Sequence, residues 1–467
     1  MSTMRSVELV EADAPLVDEP APRPSWLRRH AGWGAAAAAV VVAVVVTVQT
    51  SSAAHDRARV AALATVPGVL APLDGTLEVA WQLDFAHSSA IWSGPADGVL
   101  VSGASQQGGF VLRGTDVTTG GQVWTTPVTP DPGPNAWAWC LPVGTGASAV
   151  AVCTAGNNSG LWEVTAPDRV LWVVQPRTGG VLTQRTLPMT AQIAALDGHL
   201  LVAEPADDDH WQVQAVDPVS GEPAWTYTSE RVPGGAHVLD SPQLTPVQDG
   251  VLLVVPGHMW SIDGDGQLVA SVADGDEAWW TGLRAGAAMG FTEQGDEGYR
   301  STVVLADGTR FASTEGELAV FPDDGSDPDL FFTTDRADGG SLVARSAVDG
   351  SVVWRSRVAP TSAVLVAGTL YAGTADALVA LDAGSGDQRW RRSVDHPVAQ
   401  LSTDGRYLAA TDGSSEVDAY AMHDGTRAWS VDLRDVLHTE TLGSVGFFGA
   451  TRFLLASLPD GAVVALR

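Results

Sequence analysis

The 467-residue chain contains no lysine, three asparagines, three isoleucines and two cysteines. Its cations are therefore arginines, 26 of them against 55 acidic residues, for a formal net charge of −29. An excess of that sign excludes tracking along nucleic acid or anionic head groups, which requires a basic surface. The scarcity of lysine, asparagine and isoleucine is a signature of a GC-rich genome and carries no functional information. Two cysteines are too few for a disulfide scaffold, and they do not form a CxxC pair. HExxH, G-x-S-x-G and Walker signatures are also missing, which removes the commonest metalloprotease, serine hydrolase and nucleotide-binding readings. The ten histidines are scattered, and His87, His237, His258 and His396 stand near turns, where packing or solvation is favoured over metal ligation. DGDG at 263–266 and DDGSDPD at 323–329 space carboxylates somewhat as calcium loops do. Neither has the full EF-hand ligand set, and both read as acidic surface turns.

Gly and Pro are plentiful, with 50 and 27 copies, while long helical patterns are scarce, which favours many short strands joined by turns. One unit shows the plan. ALVALDAGSGDQRW (377–390) is an apolar strand, a turn opened by Asp382 and carried through Gly386, and a strand holding Trp390. Asp bonds the amides just ahead of it, Gly supplies a positive φ, and the indole covers a large apolar area. Related stretches recur at 110–124, 171–183, 211–225, 258–270, 341–354 and 417–429, with a degenerate copy at 299–313. Five copies keep Gly four residues before Trp: Gly120/Trp124, Gly221/Trp225, Gly350/Trp354, Gly386/Trp390 and Gly425/Trp429. Asp116, Asp217 and Asp382 stand eight residues before their Trp.

A period of about 40–45 residues with room for four strands is that of a propeller blade. GAVVALR (461–467) is a strand without its Trp partner, and VAWQLDF (79–85), with Trp81, supplies that partner at the other end of the chain. The expected fold is an all-β propeller of four-stranded blades, nine by count with eight as the alternative, closed by pairing of the N- and C-terminal strands. The repeats resemble those of the quinoprotein, or PQQ-like, propeller family across residues 77–467. That family includes pyrroloquinoline-quinone alcohol dehydrogenases and cofactor-free assembly lipoproteins of the bacterial outer membrane. The resemblance therefore implies the fold and leaves the activity open.

Residues 1–30 are polar, acidic and Pro-rich, and read as a disordered cytoplasmic tail. The uncharged run Ala31–Val48 is long enough to cross a bilayer, so 31–50 is expected to be a transmembrane anchor. A cleaved signal peptide is the competing reading, since Ser52, Ala53 and Ala54 offer small residues for cleavage. Residues 51–76 read as a linker and 77–467 as the propeller. The expected localisation is a single-pass cell-membrane protein with its N-terminus cytoplasmic and its propeller extracytoplasmic.

AWAWC (136–140) and AVAVC (149–153) read as a hairpin that sets Cys140 opposite Cys153, a cross-strand disulfide being favoured over free thiols. The quinone enzymes of the resembled family stack their cofactor on a disulfide between adjacent cysteines, which these two cannot form. Neither pyrroloquinoline quinone nor calcium is expected. Trp92, Trp137, Trp139, Trp162, Trp279 and Trp280 fall outside the repeat rule, and the long interval 125–182 holds three of them. A partner surface and a capping hairpin are both open readings of that interval. The expected function is a non-catalytic binding or scaffolding module for a protein or cell-envelope ligand; a divergent quinone-dependent dehydrogenase is the alternative.

Overall fold

The computed structural model describes residues 57–467 except 107–108, 133–135, 158–167, 208, 233–241, 274–278, 293–299, 336–339 and 448–450. The chain divides into two compact parts, Met1–Ala58 and Arg59–Arg467. No helix among the described residues is long and apolar enough to cross a membrane. That finding corrects the expected single-pass localisation. The run Ala31–Val48, on which both the anchor and the membrane contact were predicated, lies outside the described residues, as do residues 1–30.

Short apolar strands broken by Gly- and Asp-rich turns can bury their faces only by stacking as sheets, and that is what the second part does. Eight sheets are described, most of them four-stranded and antiparallel, the arrangement of a β-propeller. Residues 192–228, 243–273, 279–313 and 400–432 each form one such sheet from four consecutive strands. Two repeat units share a seven-stranded sheet, because Val99–Gln106 pairs with Ala136–Val143 through Gly103 opposite Ala138 and Ala104 opposite Trp137. The eight sheets thus hold nine repeat units. The first of the two sharing units contributes three strands, and the segments Phe85–His87 and Ala90–Ser93 pack against its Val99–Gln106 strand. Another departure is Val320–Asp323, which leaves its own unit and runs parallel to Ser362–Val366 of the next.

The strand Val79–Leu83 completes the sheet of Ser444–Gly446, Leu454–Ser457 and Val463–Leu466, with Trp81 opposite Ala465. Backbone bonds between Glu78 and Arg467 extend the pairing by one residue.

Residues 59–76 are not a spacer. Residues 59–63 are helical, and Leu63, Val69, Leu70 and Leu73 are buried in the cores of the last three sheets. Leu70 N–H donates to Thr403 O, Ala71 N–H to Arg452 O and Leu73 N–H to the Asp404 carboxylate. The Gly and Pro scattered between these leucines and valines hid an apolar pattern with neither the helical nor the strand period.

Each core lies between facing sheets, as in the cluster of Phe332, Leu342, Trp354, Leu365, Leu370, Val379 and Leu381. Among the buried carboxylates one is held by two arginines. Glu315, only 3% exposed, accepts from Arg345 at 2.7 and 2.9 Å, Arg355 at 3.1 Å and Thr333 at 2.6 Å. Burial pushes its carboxyl up, but those bonds and the two guanidinium charges outweigh burial and hold it below the ordinary glutamate range.

Candidate functional site

Antiparallel pairing sorts the connections into two sets. In every four-stranded unit the first-to-second and third-to-fourth turns lie at one end of the strands, and the second-to-third and unit-to-unit connections lie at the other. The repeat motif belongs wholly to the first end. Asp116 accepts from the N–H groups of Thr118 and Thr119, Asp217 from Val219 and Ser220, and Asp382 from Ser385. In each turn the Gly N–H, at Gly120, Gly221 or Gly386, returns to the carbonyl of the Asp. The N–H bonds to the carboxylates of Asp116 and Asp217, and for Asp382 first the Arg389 guanidinium and then the Ser385 N–H, favour the ionised form, so all three Asp residues titrate below their ordinary value.

The tryptophans connect one unit to the next. Trp81 Nε1 donates to Val117 O, Trp124 to Pro176 O, Trp354 to Ala383 O and Trp390 to Met422 O. In each case the acceptor is the residue after the one that opens the following unit's turn. The glycine of that turn lies on the same indole. A methyl group at Gly386, whose φ is +75°, would fall 2.6 Å from Trp354 Cδ2. Gly120 sits in the same way on Trp81, Gly179 on Trp124, Gly266 on Trp225 and Gly425 on Trp390. Gly350 covers Phe311 and Gly221 covers Arg185, so the rule survives where the tryptophan is replaced. Trp429 is covered by Gly75, from the Asp74–Gly75–Thr76 turn of the segment read as linker. Pairing Gly with the Trp four residues later finds the motif, but the contact is made across units.

The opposite end holds the candidate site. Trp139, Arg169, Gln192, Ile193, Pro242, Gln243, Leu244 and Thr245 line a cavity of about 460 Å³. They come from three successive units: Trp139 from Ala136–Val143, Arg169 from Asp168–Val174, and the others from the beginnings of Gln192–Leu196 and Gln243–Val247. Cys140 and Cys153 form a disulfide at facing positions, fixing the register of the strand that carries Trp139. Behind it Trp172 Nε1 donates to Thr129 O, and its ring stacks on Phe110 at 5.8 Å.

Among the described residues, Arg169 is the one charged residue in the lining. It donates to Ala191 O, its Nε is buried without a partner among the described residues, and burial lowers its pKa. The remaining lining groups are an indole, two amides, a hydroxyl and aliphatic side chains. Such a set can bind and orient a ligand. Among the described residues it contains no carboxylate, imidazole or thiol to move a proton or attack a bond. Sequence reasoning singled out Trp139 and missed Arg169, because an arginine without a counter-charge is recognised only when its neighbours are known.

Residues 338–467 match a known family model. It is described as PQQ_2, outer membrane protein assembly factor BamB. Among solved structures, BamB from Moraxella catarrhalis is 15% identical, with 84% of this chain and 100% of that one covered and a TM-score of 0.43. The C-terminal WD40 domain of Sif2 is 11% identical, with 85% and 99% covered and a TM-score of 0.43. Sqt1 from Saccharomyces cerevisiae is 10% identical, with 67% and 92% covered and a TM-score of 0.37. A comparison with curated proteins finds no match.

The only cysteines pair across a hairpin, and no group of three or more potential metal ligands occurs among the described residues. Asp323 is held by Arg284 at 2.6 Å, and Asp324 accepts from Ser326 and from Ala367 N–H. Asp263 closes its own turn through Asp265 and Gln267. His87 is buried against Ser102, His258 stacks on Trp260, His396 pairs with Glu416, and His237 lies outside the described residues. Of the other unassigned tryptophans, Trp280 is buried, Trp92 and Trp279 are exposed, Trp137 is half-buried, and Trp162 lies outside the described residues.

Proposed function

We propose that the chain is a non-catalytic protein-binding module, working without quinone or calcium, whose nine units form a closed ring. Its binding surface is the end opposite the repeat turns. The observation that carries this reading is Arg169, a half-buried cation whose Nε is buried and which has no counter-charge among the described residues, in a cavity walled by Trp139, Gln192, Gln243 and Thr245. A guanidinium so placed suits the carboxylate of an inserted side chain or chain terminus, and the indole offers that segment an apolar wall. The net charge of −29 does not prevent this. At physiological salt it is screened beyond about 8 Å, so the local cation decides for a segment already seated in the cavity. The family description, an assembly factor, agrees with a scaffolding role.

The test is site-specific photocrosslinking from position 139 in intact cells, followed by mass spectrometry. One specific protein adduct is expected, and Arg169→Gln should weaken the purified complex by about thirtyfold or more, the cost of removing one member of a buried charge pair. Absence of any specific adduct, or an adduct indifferent to Arg169→Gln, would overturn the proposal. So would turnover of alcohols or sugars by the full chain supplied with pyrroloquinoline quinone and calcium.

A further inference from the structure

The cavity that holds Arg169 is bordered by Gln192–Leu196, the end strand of its sheet. Both faces of this strand are taken up. Ile193 and Ala195 join the cluster of Val152 and Leu171 from the preceding unit, and Ala194 and Leu196 join that of Leu253 and Trp260 from the following one. What remains toward the cavity is an edge. The turn Asp197–Gly198, with both φ positive, closes on the pair of Leu196 and His199. Pairing alternates from there, so Ala194 and Leu196 bond within the sheet, while the N–H and C=O groups of Ile193 and Ala195 point away from it. Among the described residues no backbone group is bonded to them.

Elsewhere the chain covers such edges with its own segments. Val320–Asp323 runs along Ser362–Val366, and Asp324 N–H donates to Leu365 O at 3.1 Å. Leu70 N–H donates to Thr403 O at 2.8 Å. Leu365 and Thr403 each stand one residue before the pair that closes a two-residue turn, Val366 with Thr369 and Asp404 with Tyr407. Ala195 stands at that place in Gln192–Leu196. Gln243–Val247 also borders the cavity, but there the place belongs to Pro246, which has no N–H to offer.

We infer that the partner enters this cavity as an extended polypeptide segment and adds a strand to Gln192–Leu196, bonding to Ile193 and Ala195. Donors and acceptors repeated at alternate residues match the backbone of another strand. Arg169 donates to Ala191 O, just before the strand, so a carboxylate on the added segment meets the cation where the edge begins. The inference rests on the protein-binding role proposed above and specifies the conformation in which the partner is held.

The test is selection from a library of random dodecapeptides on the full chain, with residue-resolved hydrogen exchange as a second readout. In the free chain the amides of Ile193 and Ala195 should exchange faster than those of Ala194 and Leu196, and a selected peptide should slow them. Selected peptides should present a carboxylate and bind about tenfold or more weakly to Ala195→Pro, which removes one N–H and leaves a peptide carbonyl unpaired. The sheet makes no use of that N–H, and Pro246 occupies the corresponding place, so the variant is expected to fold; if it does not, exchange in the wild-type complex decides. Peptides weakened by Arg169→Gln but not by folded Ala195→Pro, with exchange at Ile193 and Ala195 unchanged, would overturn the added strand and leave the protein-binding role standing. Protection of those two amides in the free chain would show the edge already covered and would also overturn the inference, as would selection of no peptide. The binding role itself falls only with the crosslink from position 139.

Discussion

At the scale of single residues, the turn glycines and the tryptophans are two halves of one contact. Gly386 has a positive φ and the Trp354 ring above it, so a side chain there is strained twice. Gly386→Ala is expected to cost roughly 1–2 kcal/mol for the left-handed backbone alone, and more for displacing the indole. Trp354 is 8% exposed and bonded to Ala383 O, and Trp354→Ala should cost about 3–5 kcal/mol. Because the two residues share a contact, the double variant should cost less than the sum. Urea unfolding of the single and double variants checks all three, and strict additivity would contradict the pairing.

Strands and turns were legible in the sequence because the Asp, Gly and Trp spacing reports local geometry. What those residues touch was not, since the partner of each indole lies in another unit. Residues 59–76 were misread for a related reason: Leu63, Leu70 and Leu73 are buried by sheets formed from the far end of the chain. Glu315 shows how an element is held by charge. It sits on a three-residue strand with little pairing of its own, and Arg345 and Arg355 tie it to the two strands farthest from it in the same sheet. Glu315→Gln leaves Arg345 without its anion, Arg355 keeping Asp335 at 3.0 Å, and is expected to cost about 3 kcal/mol at neutral pH. The folded-state pKa is depressed, so this stabilisation is present above the ordinary carboxylate range, about pH 4.3, and is lost as pH falls through the folded value. Melting temperatures measured down an acid series should therefore fall more steeply for wild type than for Glu315→Gln. Parallel curves would show that the pair does not contribute.

For the whole molecule, the pairing of Val79–Leu83 with Val463–Leu466 is the contact of longest range in sequence. Deleting residues 77–85 removes Trp81 and an outer strand together, exposes the edge of Val463–Leu466, and leaves the Gly120 turn without its indole. The expected result is a lower melting temperature for the whole second part in one cooperative transition. A melt unchanged from wild type would show that the joining strands are dispensable.

That same pairing sets a condition on synthesis. The strand Val79–Leu83 and the apolar residues before it leave the ribosome early, while the strands that cover them are among the last to be made. Until residue 466 has emerged, every nascent chain carries an open edge and an uncovered apolar segment, both of which favour association between chains. Production should therefore depend on how long that intermediate is kept apart from its copies, and slowing synthesis near the C-terminus should lower the soluble yield more than slowing it near the middle.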